Sequence, residues 1–477
     1  MVKKNTKIDR NLIAEKLFEI LAPINGLESV SLVGSICDKD DISVISDIDT
    51  IVICSALDEM FFKSCVDALN SLTGAELGLP DRRIFINSTF GPLKFDTPEL
   101  IVIHLMVYDL QGHKEHVLKS PFTCLDWERS NLFFGKSLKE IYPVHRLQPN
   151  HFGESRRGLR NYLDDVRKGV ISYRRYTFLD GKAKECSDTY ELDSKHQGEY
   201  AYHIVKYLIS NYLKMISGSN IQYADSDFFH MWEKYLPECS FFIPFFKTLR
   251  DLKAKRSEKY PKNTIQKVED LLIGFENAFN QTWRSSLKLI FVRHGRTALN
   301  DGSFLGQGRD PELVESLEPL GCQVQAVFSS PLKRAMMSAK ELSPDHDANL
   351  DYRLCEINYG KAEGLFLEDL KKMFPYLYES WSRGEDTRFP DGENHGDVMK
   401  RLKLFLNSLQ DRSGTILVVT HNVVIRCLVG MIWEIPINQW FKIVVPHARE
   451  VELLCLEGRY YLNMDSSTKE IMTDSLI

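Results

Sequence analysis

The stretch LIFVRHGRTALN, residues 289–300, decides the fold of the C-terminal part of the chain. Its opening run of apolar residues is typical of a buried strand, and Arg293 and His294 stand where that strand ends. Ligands of open α/β sheets bind at the carboxyl ends of the strands. We therefore expect Arg293 and His294 to face a ligand, while a lone histidine at such a position also fits a purely structural role.

Three later segments supply the remaining parts of a phosphate site. SSPLKRA carries Arg334, LCEINYGKAEG carries Glu356, and VVTHNVVIRC puts His421 at the end of a second β-branched strand. Arginines offer paired donors to phosphate oxygens. One histidine can attack phosphorus while the other donates to a non-bridging oxygen, and a carboxylic acid can protonate the leaving alcohol. The residue types thus indicate phosphate chemistry.

The order of these motifs, RHG, SxLxRA, LxExxxGxxEG, PxGE and THN, closely resembles that of the histidine phosphatase superfamily, to which phosphoglycerate mutases belong. The resemblance implies an α/β sheet of the histidine phosphatase type over residues 286–477. It implies that His294 forms a phosphohistidine and that Glu356 is the general acid. The side chains implied to hold the phosphoryl group are Arg293, Arg334, His421 and Asn300. Glu363 and Glu393 match family positions too and are interpreted as supporting residues.

The segment between Glu356 and His421 separates two branches of this family. Mutases carry an extra basic insert there, and FPDGENHGDVMKRLKLFL, residues 389–406, follows without it. A compact phosphatase that needs no cofactor is therefore favoured. HNVVIRCLVG and RFPDGEN are most similar to the bisphosphatase half of the enzyme that handles fructose 2,6-bisphosphate. However, no GxxxxGK[ST] kinase motif occurs in the first 285 residues.

The connection between Asn300 and Ser329 departs from the family pattern. It is shorter than usual, and the helix that normally precedes the SxLxRA strand is interpreted as truncated around Pro311–Gln323. This change opens the pocket or alters one of its walls, and it removes no catalytic residue.

A second pattern, VSLVGSICDKDDISVISDIDTIVICS, occupies residues 30–55. Gly34 and Ser35 end one expected strand, and Asp47 and Asp49 begin the next, where strand alternation puts both carboxylates on one face. Such a pair suits Mg²⁺ and substrate phosphates, and a glycine-serine turn lets the backbone approach a triphosphate. A plain Asp-rich turn between two strands is the alternative interpretation.

The pattern hG[GS] followed by DhDhh resembles the nucleotidyltransferase superfamily related to DNA polymerase β. The resemblance implies a mixed-sheet nucleotidyltransferase fold over residues 1–146, with Gly34 and Ser35 on the phosphates of an NTP and with Asp47 and Asp49 as Mg²⁺ ligands. The family usually has a third carboxylate on a later strand. In PELIVIHLMVYD that position falls near His104, with Glu99 and Asp109 as alternatives.

Residues 147–285 are expected to form a wholly helical domain, because long mixed-charge stretches such as Gly198–Ile216 and Asn263–Trp283 contain little proline or glycine. These helices are interpreted either as the wall of an acceptor or nucleotide pocket or as a linking bundle. A chain of 477 residues with such segments is expected to be an α/β multidomain protein.

The composition excludes several classes of protein. A net charge of −6 from nearly balanced charges makes nucleic acid an unexpected partner. No run of about 18 apolar residues occurs, so no membrane span is expected. The ten cysteines include no CxxC pair, which is typical of a reduced, cytoplasmic protein.

These features together predict a bifunctional enzyme. Its C-terminal domain would hydrolyse a phosphorylated small molecule through phosphohistidine, and its N-terminal domain would transfer a nucleotidyl group from an NTP to a small-molecule acceptor with Mg²⁺. Two alternatives stay open: a phosphatase regulated by a catalytically inactive nucleotide-binding domain, and an enzyme that modifies or repairs RNA ends.

Overall fold

The computed structural model describes residues 9–38, 47–91, 99–145, 147–217, 225–255, 259–456 and 458–474. Its contacts divide the chain into two compact units. One comprises Met1–Leu147 with His151–Ala278, and the other comprises Gln148–Asn150 with Phe279–Ile477. The domain boundaries expected at 146 and 285 stay predictions, and Arg146 lies outside the described residues. No helix within the described residues combines the length and the apolar character needed to cross a membrane.

The first unit contains a five-stranded mixed sheet in the order β3-β4-β2-β1-β5. Strand β2 lies at its centre, antiparallel to β1 and parallel to β4. The strands are β1 (Leu27–Val33), β2 (Asp47–Cys54), β3 (Arg83–Asn87), β4 (Leu100–Asp109) and β5 (Phe133–Gly135). The helices are α1 (Arg10–Leu21), α2 (Ser35–Asp38), α3 (Glu59–Asn70), α4 (Leu110–Lys119), α5 (Pro121–Trp127) and α6 (Leu138–Ile141). The mixed sheet expected from the sequence is confirmed, whereas the nucleotidyltransferase fold stays a prediction.

The remainder of this unit is not wholly helical, which corrects the expectation for residues 147–285. Strands β6 (Val170–Leu179) and β7 (Lys182–Glu191) form an antiparallel hairpin. Asp180 and Gly181 connect them with φ angles of 50° and 75°, the left-handed conformations that a two-residue hairpin turn requires. The helices around this hairpin are α7 (His151–Glu154), α8 (Leu159–Lys168), α9 (Ser194–Ser217), α10 (Asp225–Tyr235), α11 (Ile243–Ala254) and α12 (Thr264–Ser285), with a 3₁₀ turn at Pro237–Phe242.

The second unit contains a six-stranded sheet in the order β10-β9-β11-β8-β12-β13. The first four strands in this order are parallel to one another, and β12 pairs antiparallel with both β8 and β13. The strands are β8 (Leu287–Arg293), β9 (Ala326–Ser329), β10 (Ala348–Leu350), β11 (Thr415–Thr420), β12 (Glu450–Leu456) and β13 (Arg459–Asn463). The α/β sheet expected for this region is therefore confirmed.

Both faces of β8 are covered, because its apolar residues alternate between two buried clusters. Leu289 and Phe291 pack on one face with helices α16 and α17, and Ile290 and Val292 pack on the other face with α13. The helices are α13 (Lys333–Leu342), α14 (Leu367–Met373), α15 (Pro375–Ser382), α16 (His395–Asn407), α17 (Asn422–Ile432) and α18 (Ser466–Thr473), with 3₁₀ turns at Tyr352–Leu354, Gly360–Ala362 and Ile437–Lys442. No helix interrupts the fully described connection from β8 to β9, in agreement with the truncated helix expected there.

Candidate functional sites

Two histidines meet at the carboxyl edge of the second sheet. Arg293 pairs in register with Thr420, so that His294 and His421 follow the ends of two adjacent parallel strands. The backbone N–H of His294 donates to the carbonyl of Thr420 (3.0 Å), and the two imidazole rings lie 5.1 Å apart between centroids. Both side chains are buried. The structure thus brings together the two histidines that the sequence places far apart.

The hydrogen bonds of His294 determine which ring nitrogen can react. Nδ1 lies 2.7 Å from the carbonyl oxygen of Gly295, and because a carbonyl only accepts, Nδ1 carries the proton. Nε2 then has a lone pair, and the Nε–H of Arg334 points at it over 3.3 Å. Burial, followed by the charge of Arg334, holds the pKa of His294 well below its usual range. His294 is therefore a neutral base with its nucleophilic nitrogen directed at a cation.

Arg334 is a fully buried guanidinium on α13. It donates from Nη2 to the carbonyl of Gly306 (2.7 Å) and from Nη1 to the carbonyl of Arg309 (3.1 Å) and to Oδ1 of Asp310 (3.2 Å). These contacts fix its plane, so that the remaining edge faces His294. A rigid guanidinium presented in this way can bind a phosphoryl oxygen in two-point geometry.

Arg293 adds a second cation at the same edge. Its Nη1 donates to the carbonyl of Val445 (2.7 Å), and within the described residues its buried Nε has no hydrogen-bond partner. Burial lowers the pKa of Arg293 to about 10, so the side chain keeps its charge at neutral pH. The Nε–H of Arg293 can therefore donate a hydrogen bond to an anion bound beside His294.

Glu356 is a buried carboxyl group held by backbone amides. Its Oε1 accepts from the N–H groups of Ile357 (3.0 Å) and Val423 (3.1 Å), which places it at the start of α17 directly after His421. Burial raises the pKa of Glu356, although the same amides and the charges of Arg334 and Arg293 act in the opposite direction. Burial outweighs these opposing effects on the pKa, so Glu356 is the group of the site best suited to carry a proton.

His421 is anchored through Ser330, the first residue after β9. The Nε2 of His421 lies 2.8 Å from the Ser330 hydroxyl, and within the described residues its buried Nδ1 has no hydrogen-bond partner. Burial, and after it the charge of Arg334, lowers the pKa of His421 well below its usual range. A dianionic phosphate would offset those positive charges and favour protonation of this ring.

The other residues that the sequence singled out have local bonding roles. The amide oxygen of the exposed Asn300 accepts from the backbone N–H (2.8 Å) and hydroxyl (3.1 Å) of Thr297, so it closes the turn after the RHG motif. Glu363 accepts from the N–H of Gly306 (2.9 Å), and Glu393 accepts from the N–H of Asn358 (2.9 Å). Glu363 and Glu393 therefore hold loops around the site.

Two residues at this edge were missed by the sequence reasoning. Arg426 on α17 is largely buried; its Nε donates to the carbonyl of Ile443 (2.8 Å), and its charge lies close enough to Glu356 and Tyr359 to affect both. His447 donates from Nδ1 to the carbonyl of His294 (2.9 Å). Arg426 stands in the quoted VVTHNVVIRC motif, five residues after His421, and its place in that motif is a signal for it. His447 had no comparable signal.

In the first unit, the structure brings Gly34 next to Asp49. Val33 pairs with Asp49 across β1 and β2, and Gly34 turns away from the strand with φ of 74°. A Cβ atom at position 34 would contact the Asp49 carboxylate, so both the backbone angle and the space favour glycine. Ser35 follows as the first residue of α2, and Asp47 lies two residues before Asp49 on the same face of β2.

Of the three candidates for the third ligand position, only His104 lies level with Asp49, as its partner on β4. Asp109 pairs with Cys54 at the far end of β2 and accepts from the N–H of Gly112 (2.6 Å) at the start of α4. Glu99 precedes β4. The parallel register, which fixes the residue that meets Asp49, therefore favours His104 among these alternatives.

The protonation of His104 follows from its neighbour Asn87. The amide oxygen of Asn87 accepts from the backbone N–H (3.1 Å) and hydroxyl (2.8 Å) of Thr89, so its NH₂ group is the one that faces His104 Nδ1 at 2.8 Å. Nδ1 accepts this bond, and a neutral His104 carries its proton on Nε2. In this form Nε2 carries a hydrogen and cannot ligate a metal.

Asp47 and Asp49 remain as carboxylates for a cation. Mg²⁺ is commonly held by one or two carboxylates together with substrate phosphates, so the pair fits a metal that arrives with its nucleotide. A cluster of three or more histidine, cysteine or acidic side chains suited to hold a metal does not occur among the described residues.

Residues 289–464 match the model of the histidine phosphatase superfamily (branch 1). The C-terminal part of the chain is therefore a histidine phosphatase superfamily domain. The match leaves residues 1–288 outside it, so the assignment of the first unit to the nucleotidyltransferases stays a prediction.

Curated relatives resemble only part of this chain. The 6-phosphofructo-2-kinase/fructose-2,6-bisphosphatase of Caenorhabditis elegans is 30% identical over 206 residues, which cover 39% of this chain and 44% of that protein. Phosphoserine phosphatase 1 of Hydrogenobacter thermophilus is 26% identical over 171 residues, 33% of this chain and 81% of that protein. The solved structure of Bacillus stearothermophilus YhfR is 21% identical, covers 38% of this chain and 98% of its own, and has a TM-score of 0.34.

Proposed function

We propose that the C-terminal domain hydrolyses phosphomonoesters through a phosphohistidine on His294. The observation that carries this proposal is the bonding of His294, whose Nδ1–H is tied to the Gly295 carbonyl while Nε2 faces the guanidinium of Arg334 at 3.3 Å. Such a nitrogen is unprotonated, buried and directed at the position where a bound phosphoryl group would sit.

Each side chain has a role in the proposed reaction. Nε2 of His294 attacks phosphorus, and the bond from phosphorus to the ester oxygen breaks. Glu356 gives its proton to the departing oxygen, which becomes an alcohol. The phosphoryl oxygens are bound by Arg293, Arg334 and His421. Water then attacks the phosphohistidine, Glu356 takes up a proton from it, and phosphate leaves with His294 regenerated.

The substrate class is a phosphorylated small molecule. Relatives named as a fructose-2,6-bisphosphatase and as a phosphoserine phosphatase support this class, and they make fructose 2,6-bisphosphate and phosphoserine the first compounds to assay. The buried Arg426 beside Glu356 favours a substrate with a second polar or anionic group.

The first test uses an aryl phosphate in the presence of a metal chelator. We expect turnover by the wild-type chain and an acid-labile phosphoryl adduct at His294 in rapidly quenched samples. His294→Ala should abolish both, while His346→Ala, which changes a histidine that contacts Ser343 in the loop after α13, should leave both intact. Turnover that persists in His294→Ala would rule out the phosphohistidine route.

We also propose that the first unit transfers a nucleotidyl group from an NTP to a small-molecule acceptor. Support comes from Asp47 and Asp49 on one face of a central strand and from the close approach of Gly34 to Asp49. Mg²⁺ bound between these carboxylates and the triphosphate would neutralise the charge of the leaving pyrophosphate. Gly34 and Ser35 would let the backbone approach the phosphates.

The protonation state of His104 supports a second candidate function, in which the first unit binds a nucleotide and regulates the phosphatase. A neutral His104 that carries its proton on Nε2 cannot accept a proton from an attacking hydroxyl through that nitrogen, as a third carboxylate could. The unit would then bind an NTP and change the rate of the phosphatase without transfer. Action on RNA ends remains a weaker candidate, because no feature of the described site favours it.

A further inference from the structure

His447 lies directly against the histidine assigned as nucleophile. Its Nδ1–H donates to the backbone carbonyl of His294 (2.9 Å), and its ring meets the His294 ring nearly edge to face, with centroids 5.4 Å apart at 64°. His294 also contacts the ring of His421, with centroids 5.1 Å apart. The His294 imidazole thus packs against two other imidazoles.

The backbone that carries His447 is strained at the next residue. Ala448 has a φ of 52°, a conformation that residues with a Cβ rarely adopt. Its N–H donates to the carbonyl of Arg293 (3.0 Å), so residues 447 and 448 bond the consecutive carbonyls of His294 and Arg293. Backbone strain of this kind persists where the surrounding structure requires it, and it is concentrated at functional sites.

His447 is only partly buried, and its Nδ1 bonds the backbone of His294. The charged groups close enough to affect it are Arg293, Arg296 and Glu315. Because its Nδ1 bonds backbone rather than a side chain of the site, its influence on the reaction must pass through the orientation of His294.

We propose that His447 is a positioning residue that fixes the His294 imidazole for in-line attack on phosphorus. This inference rests on the proposed phosphohistidine route. The backbone N–H and carbonyl of His294 are bonded to Thr420 and His447, and its Nδ1 is bonded to Gly295. Together these bonds hold the residue with Nε2 facing Arg334. Loss of the His447 bond leaves the carbonyl of His294 unpaired and the ring unsupported on one face.

The test compares two substitutions of similar size. His447→Asn puts an amide N–H close to the position of Nδ1 and can donate to the same carbonyl, whereas His447→Leu has the same bulk and no donor. Misplacement of a reacting group by about 1 Å costs on the order of 100-fold in rate. We expect kcat on an aryl phosphate to fall about 10- to 100-fold in His447→Leu and by less than about 5-fold in His447→Asn.

The affinity for phosphate separates positioning from binding. Arg293, Arg334 and His421 remain in both variants, so the inhibition constant of inorganic phosphate should change by less than about 3-fold while the rate of His294 phosphorylation falls. Equal kcat losses in the asparagine and leucine variants would overturn the proposal, and so would a loss of phosphate affinity as large as the loss of rate.

Two controls keep this result interpretable. Thermal unfolding followed by circular dichroism verifies that each variant is folded, and His447→Ala replaces the leucine variant if the latter does not fold. The wild-type chain is measured first: absence of a phosphoryl adduct there contradicts the proposed function itself. A wild type that forms the adduct, with variants that fail to separate as expected, contradicts only the role of His447.

Discussion

At the scale of single residues, burial shifts the pKa values of the histidines and of the carboxyl group of the C-terminal site in opposite directions. Burial is the largest influence on all three groups, and it lowers the pKa of His294 and His421 while it raises the pKa of Glu356. Burial always disfavours the charged form, so bases and acids shift in opposite directions. The same burial therefore favours a neutral, nucleophilic imidazole and a carboxyl group that keeps its proton to higher pH than an exposed one does.

The acid role of Glu356 leads to a prediction about leaving groups. An alkyl alcohol is a poor leaving group that needs a proton, whereas an aryl alcohol departs readily without one. Glu356→Gln should therefore slow alkyl phosphates by about 100-fold or more and aryl phosphates much less. The measurement is kcat for a series of esters of graded leaving-group pKa. Equal slowing across the series would deny Glu356 this role.

The pH dependence of the same residue has a definite sign. Burial raises the pKa of Glu356, so the protonated form persists to higher pH than for an exposed carboxyl and is lost as pH rises through that value. In the wild-type chain, kcat/KM for an alkyl phosphate should decline on the alkaline side. Glutamine does not titrate, and the decline due to this group should be absent from the Glu356→Gln profile.

The identities of the site residues, and the proximity of those at strand ends, were largely predictable from the sequence. The contact between His447 and His294 was not. Arg293, His294 and His421 end β-branched runs, and parallel strands end at one edge, so their proximity followed from the pattern. His447 precedes β12, and it reaches His294 only because β12 pairs antiparallel with β8. The pairing of β12 with β8 depends on long-range contacts, for which a local sequence pattern carries no signal.

At the scale of elements, the connection from β8 to β9 depends on side chains rather than on a helix. Arg334 binds the carbonyls of Gly306 and Arg309, and Glu363 binds the N–H of Gly306. The loop is thus fixed from two sides and forms one wall of the site.

A substitution at Gly306 tests the structural role of this loop. A Cβ atom there would lie 2.5 Å from Oε2 of Glu363 and 2.7 Å from the carbonyl oxygen of Ile357, so alanine must displace the backbone. We expect Gly306→Ala to lower the free energy of unfolding by about 1–3 kcal/mol and kcat/KM by about 10-fold or more. Gly321→Ala, in the same connection and with no atom within 4 Å of its Cβ, should change neither quantity. Chemical denaturation and steady-state kinetics give both values, and matching behaviour of the two variants would contradict the proposed wall.

The hairpin of β6 and β7 is an element that the local sequence pattern did not predict. The helical interpretation rested on the long mixed-charge stretches Gly198–Ile216 and Asn263–Trp283 and was extended to the segments VISYRRYTFL and KAKECSDTYE, which form β6 and β7. The Asp-Gly pair at 180–181 was the correct signal, since both residues take the left-handed angles of a tight turn. The helical prediction failed because the stretches on which it rested carry no information on this turn.

At the scale of the whole molecule, the chain joins a histidine phosphatase superfamily domain to a unit with paired carboxylates on a central strand. The C-terminal motifs were specific enough to predict both fold and residue types. The first unit was less determined, because its third ligand position depends on the register of β4 against β2 and on the hydrogen bond from Asn87 to His104.

The last prediction separates transfer from regulation in the intact chain. With Mg²⁺, an NTP and a panel of small hydroxyl and amino acceptors, we expect pyrophosphate release that is lost in the double variant Asp47→Asn with Asp49→Asn. These substitutions keep the packing beside Gly34 and remove both negative charges that Mg²⁺ requires. The double variant should retain wild-type turnover of an aryl phosphate, and His294→Ala should retain pyrophosphate release. If no pyrophosphate appears but the NTP alters the phosphatase rate of the wild type and not of the double variant, the unit is a nucleotide sensor. If neither effect occurs, both proposals for this unit are wrong.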